Sequence, residues 1–138
     1  MNKVYYTLLI LSLALTACTD SNKNQETALQ KDVLNIHEKV MADDELAMIN
    51  KMKLDTLIQK AISLKTDSSE VKALREKLNQ ADEAMSDWMK KFNPDYSGKS
   101  HDEIVKYLTD QKTKVNEVDA MLINATKESS EYLAKIKK

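Results

Sequence analysis

The sequence predicts an all-α fold, an antiparallel up-down-up three-helix bundle with long first and third helices. Three observations carry that prediction. Beyond residue 26 the chain is dominated by Ala, Leu, Lys, Glu, Ile, Met and Gln, all good or tolerable helix formers. Its single glycine and single proline, Gly98 and Pro94, lie together and make one marked break. No stretch shows the two-residue alternation of a strand or the turn chemistry of a hairpin.

The first helix is expected to open near Thr27 and to run to about Leu64. Val33, Ile36, Val40, Ala47, Leu54, Leu57, Ala61 and Leu64 recur at three- and four-type spacings. Leu34, Met41, Met48, Ile58 and Ile62 widen this stripe enough to touch two partners. The second helix starts at the Asp-Ser-Ser-Glu signal of Asp67 to Glu70 and carries Val71, Leu74, Leu78, Ala81, Met85, Trp88 and Phe92. That 3-4-3-4 pattern is the clearest periodicity in the chain. After "NPDYSGK", Ser100 and Glu103 form a capping-box pair. The third helix then runs through Ile104, Leu108, Val115, Val118, Leu122, Ala125, Tyr132 and Ile136.

Each helix alone exposes an apolar stripe, and short connections favour antiparallel neighbours, so the three close on one core. Helices of about 38, 25 and 38 residues would span roughly 57, 37 and 57 Å. The unequal lengths predict overhangs: the third helix beyond the first turn, the first helix below the second. Asn50 and Gln111 fall on or near the seams, where a buried amide sets register. Trp88, Phe92, Tyr96 and Tyr107 are expected to plug one end of the core.

The opening residues follow a different order. Lys3 supplies a positive start, Val4 to Leu15 an apolar run, and Thr16 and Ala17 a small-residue exit, which is the order of a secretory signal. An apolar run of about 14 residues spans about 21 Å as a helix, short of the roughly 30 Å of hydrocarbon in a bilayer. The run stops at Cys18, the only cysteine. Leu15-Thr16-Ala17-Cys18 resembles the lipobox of bacterial lipoproteins. That resemblance implies a signal peptide over 1–17, diacylglycerol on Cys18, cleavage before it and N-acylation of the new terminus. Two or three acyl chains on one residue, palmitate among them, make a stable membrane anchor where one chain does not. Residues 18–26 then read as the lipidated cysteine and a polar, flexible tether reaching on the order of 15 Å, with the bundle over 27–138. Thr19 rather than an aspartate follows the cysteine, which favours the outer membrane, periplasmic or surface-facing.

Cleavage removes Lys3 and leaves 20 basic against 22 acidic side chains, so no basic excess points to nucleic acid. With its one cysteine given to lipid, the domain has no disulfide framework, and no cofactor beyond that covalent lipid is expected. The residues with most chemistry are His37, Met41, Met89 and His101, soft thioethers and imidazoles of the kind Cu(I) prefers. Folded antiparallel about turns near 66 and 96, the chain gathers them at one end, with Phe92 opposite Met41. If they converge, a periplasmic copper or small-ligand carrier is the alternative function. Asp43, Asp44 and Glu45 interrupt the first stripe where it passes Trp88, so Asp43, Asp44 and Trp88 are candidates for an interaction patch.

Enzyme signatures are missing from the sequence. Neither histidine follows a glutamate at the Glu-x-x-His spacing of di-metal bundles, His37-Glu38 lacks the second histidine of a zinc protease, and one glycine cannot build a phosphate loop. Asn124-Ala125-Thr126 has the form of a glycosylation sequon but lies inside a helical stretch. "IHEKVM" and "DWMKKF", with His37, Glu38, Val40 and Met41 in the first and Trp88 and Met89 in the second, resemble motifs of small all-helical lipoproteins of Bacteroidota. The family's Pro-Lys-Met-Gly continuation is replaced here by Ala42-Asp43-Asp44. The resemblance implies a helical fold and an envelope location and brings no activity with it. The expectation is therefore a non-enzymatic, lipid-anchored envelope module, bound to the membrane through its acyl chains and acting through a protein partner or a second copy.

Overall fold

The computed structural model describes residues 2–136, with side chains from Asp20 onward. Residues 1–17, expected to be a signal peptide, and Cys18, expected to carry lipid, lie outside the residues whose side chains are described. Three helices make up the fold: α1 (Asn2–Leu64), α2 (Ser69–Lys91) and α3 (His101–Ile136). Among the described residues there is no strand, and no helix is long and apolar enough to cross a membrane.

The turns form where the local chemistry dictates. At the end of α1, Lys65 takes a left-handed conformation with φ 56°. Its N–H donates to Ile62 O at 3.2 Å, and Thr66 N–H donates to Ala61 O at 2.9 Å. That is the paired Schellman closure, with lysine in the position that usually holds glycine. Asp67 then accepts both the backbone N–H and the hydroxyl of Ser69, which opens α2. At the far end of α2, Phe92 turns extended, Pro94 forbids continuation, and Asn93 and Asp95 each accept a backbone N–H two residues on. Gly98, at φ 77°, closes the turn in which Lys99 N–H donates to Tyr96 O. Ser100 and Glu103 exchange hydrogen bonds as a capping box: Ser100 N–H donates to Glu103 at 2.8 Å, and Glu103 N–H to Ser100 Oγ at 3.4 Å.

The core is a single column of 3-4 spaced side chains. Val33, Val40, Ala47 and Leu54 of α1 meet Val71, Leu78, Ala81, Met85 and Trp88 of α2, and Ile104, Leu108, Val115, Val118 and Leu122 of α3. The most extensive interface is between α1 and α3. Its pairs keep a near-constant numerical offset: Asp32 with Lys112, Lys39 with Asp119, Asn50 with Ser130. Pairs involving α2 count in opposite directions, Lys51 with Asp82 and Asp55 with Arg75.

Three expectations are corrected by this arrangement. α1 does not open at Thr27 but continues back through Asp20 to Glu26, because no Gly or Pro interrupts it. The wide stripe on α1 is not buried throughout: Leu34, Met41, Met48 and Ile62 are exposed, since a helix with two neighbours on one side covers only its inner seam. The overhang at the first turn is reversed. With Ser130 level with Asn50, Ile136 falls about two turns of helix short of Lys65, so the end of α1 projects beyond α3 and leaves Leu64 exposed.

Candidate functional site

Near the second turn, the predicted aromatic plug is present and is joined by a histidine. The rings of His37 and Trp88 lie 5.5 Å apart, Trp88 and Phe92 stack at 5.1 Å, Phe92 and Tyr107 at 6.3 Å, and Tyr96 tilts against Tyr107 at 6.0 Å. Offset stacking at these separations adds attraction beyond buried area. Tyr107 Oη accepts the N–H of Asn93 at 2.8 Å, tying the ladder to the end of α2. Three of its polar atoms are buried with no hydrogen-bond partner among the described residues: His37 Nε2, Trp88 Nε1 and Tyr96 Oη. Burial pushes the Tyr96 hydroxyl above the usual tyrosine range, with Tyr107 adding to the rise.

The four residues singled out for metal binding are not gathered into one cluster. His101 Nδ1 lies 2.8 Å from Glu26 Oε1, and Glu26 is eleven residues, about 16 Å of helix, before His37. Met41 and Met89 do meet, with Met85 and Asp44, around a cavity of about 50 Å³ between α1 and α2. Among the described residues no group of three or more His, Cys, Asp or Glu side chains stands in ligating geometry. The α1–α2 register stays close to expectation, with Lys51 on Asp82 and Asp55 on Arg75, although the ring of Trp88 packs on His37 rather than beneath residues 43–45; the departure is between α2 and α3, where Lys77 meets Glu128.

Asp43, Asp44 and Glu45 accordingly face three ways, as consecutive helical residues must. Asp43 shares Lys39 with Asp119 of α3, at 3.0 and 2.9 Å. Asp44 is half-buried toward α2; burial raises its pKa, and the neighbouring Asp82 raises it further while Lys51 lowers it. Glu45 stands on the outer flank of α1.

Two features escaped the periodicity. The first is a buried polar lock between α1 and α3: Asn50, 2% exposed, donates to Ser129 Oγ at 3.0 Å and Ser130 Oγ at 2.8 Å, and Ser129 donates to Ala125 O at 2.8 Å. Asn50 was legible as a seam residue, whereas nothing local marks the two serines. The second is a groove of about 430 Å³ along the outer face of α1 and α3, floored by Ala42, Leu46, Ile49 and Ile123 and rimmed by Glu45 and Lys127. Thr126 Oγ1 is buried beside it without a partner among the described residues. Leu46, Ile49 and Ile123 sit off the core stripe, and their apolar character one position aside from it was the available signal.

These observations define an all-α, three-helix bundle with an aromatic end, a polar lock and an open apolar groove. The chain matches no family model, no curated protein and no solved structure.

Proposed function

We propose that this chain is a lipid-anchored bacterial envelope protein whose bundle serves as a non-enzymatic interaction or structural module. The observation that carries the reading is Leu15-Thr16-Ala17-Cys18 at the end of a positively led apolar run, the order an acylated N-terminal cysteine needs. Residues 18–26 then link lipid to bundle, most simply at the outer membrane. The helices run up-down-up, a topology supported by the constant offset of the α1–α3 pairs and the opposed counting of the α2 pairs. Partners are the membrane, through acyl chains on Cys18, and a protein surface. Supporting a module that works by contact are the exposed apolar side chains of Leu46, Ile49 and Ile123 along one groove.

The experiment is Cys18→Ser in the full chain, followed by detergent-phase partitioning and mass spectrometry of the N-terminus. Loss of acylation and of detergent-phase recovery is expected. Unchanged membrane association in that variant removes the anchor. A second reading, a copper or small-ligand carrier, draws on Met41, Met85 and Met89 around one small cavity. Titration of the protein with Cu(I), followed by Trp88 fluorescence, decides it: stoichiometric binding lost in Met41→Leu and Met89→Leu would place the carrier first.

A further inference from the structure

The groove between α1 and α3 is an open concavity of about 430 Å³ whose apolar floor no helix of the bundle covers. A second concavity, where Leu57, Leu133 and Ile136 meet, lies further along the same two helices. The flanks carry opposite charge: Glu45 on the outer side of α1 and Lys127 on the outer side of α3. Several charges along the seams are matched within the chain, Asp32 by Lys112, Asp119 by Lys39 and Glu128 by Lys77. Among the described residues Glu45 and Lys127 form no ion pair.

Their height along the bundle is what makes them complementary between molecules. Asn50 is level with Ser130 and Lys39 with Asp119, so Lys127 is level with Ala47, only about 3 Å along the axis from Glu45. A twofold axis parallel to the helices lays α1 of one copy over α3 of the other at the same height. Glu45 then meets Lys127 of the second molecule, twice, over the paired apolar floors. A twofold across the helices would instead set α1 on α1 and leave both charges unmatched. We infer that the α1–α3 face is a self-association surface, closing an isologous parallel dimer through Leu46, Ile49 and Ile123 with reciprocal Glu45–Lys127 pairs. The inference rests on the interaction-module reading, and the anchor gives it a geometric reason: a parallel axis keeps both N-termini, and so both lipids, at one membrane surface.

Light scattering of the full chain in mild detergent at micromolar concentration tests it, on Glu45→Lys, Lys127→Glu and the double exchange. The dimer is expected for the unaltered chain. Each single reversal should weaken association about tenfold or more by setting like charges opposite one another, and the double exchange should restore it. Retained helical circular dichroism in the single variants excludes unfolding as the cause. A monomeric unaltered chain, single reversals that leave the dimer intact, or a double exchange that fails to rescue overturns the parallel dimer. Detergent-phase partitioning of the same samples reads the anchor separately. A dimer that stays in the aqueous phase removes the anchor and leaves the surface standing, whereas a detergent-phase monomer does the reverse.

Discussion

The two halves of the bundle differ in how most of their buried polar atoms are paired. Toward the first turn, Asn50, Ser129 and Ser130 form a network that spans α1 and α3, with Thr126 Oγ1 beside it finding no partner among the described residues. Toward the second, His37, Trp88 and Tyr96 bury polar atoms that have no partner among the described residues, inside a ladder of stacked rings. A buried donor left unmade costs about 1–3 kcal/mol, while a satisfied one contributes about 1 kcal/mol. The aromatic half is therefore held by area and stacking against a polar deficit, and the other half by a directional lock. One gives adhesion with little register information; the other gives register with little area.

The largest effect should come from the aromatic half. Trp88→Ala is expected to destabilise by about 3–5 kcal/mol in urea unfolding, as core aromatics removed to alanine do. Trp88→Phe deletes the unpartnered N–H while keeping a ring, and should recover most of that loss. If Phe proves as costly as Ala, the indole N–H has a partner and the contrast between the halves fails. Next comes the lock. Asn50→Ala should cost about 1–3 kcal/mol, because Ser130 loses its donor and a buried gap opens. A loss near zero would mean that the α1–α3 register is set elsewhere.

Smaller effects lie at the two turns. Lys65→Gly should stabilise by about 0.5 kcal/mol, the relief of a left-handed lysine less the added freedom of glycine in the unfolded chain. The acid side of the stability curve offers the finest test. Hydrogen bonds from Ser100 hold the Glu103 carboxyl below its usual range, and those from Ser69 do the same for Asp67. A carboxylate whose folded pKa is depressed supports the fold above its unfolded pKa, and that support fades as pH falls through the folded value. Glu103→Gln should therefore flatten the loss of stability below the ordinary carboxylate range. Asp44 has the opposite sign, since burial and Asp82 raise its pKa. Its charge opposes the fold once pH rises past that range, so Asp44→Asn should raise the melting temperature at neutral pH and leave it little changed in acid.

Much of the architecture was legible in the chain. The three helices, the Ser100–Glu103 box, the Asp67 start and the break at Pro94 and Gly98 are each specified within a few residues. The α2 stripe from Val71 to Trp88 read correctly because a 3-4 repeat admits one inner face. The candidate sites were less legible. α1 and α2 pair close to the sequence-derived register, Lys51 with Asp82, but α3 is displaced along α2, so that Lys77 meets Glu128 and His101 reaches Glu26, and residues close in that register separated in space. Leu34, Met41 and Met48 read as core and are exposed, because whether a flanking apolar residue is covered depends on how many helices lie against it.

Helix type, the ends at the two turns and the inner faces follow from interactions between residues three or four apart, and such interactions are written in the sequence itself. Which inner residue meets which is a different matter, since sliding one stripe along another by a turn preserves most of its apolar burial. The tertiary structure resolved that near-degeneracy through a few directional contacts separated by up to 80 positions, Asn50 to Ser130 and Lys39 to Asp119 among them. It decided in the same step which faces were left over, and so left the α1–α3 groove, with Glu45 and Lys127 on its rims, open for contact.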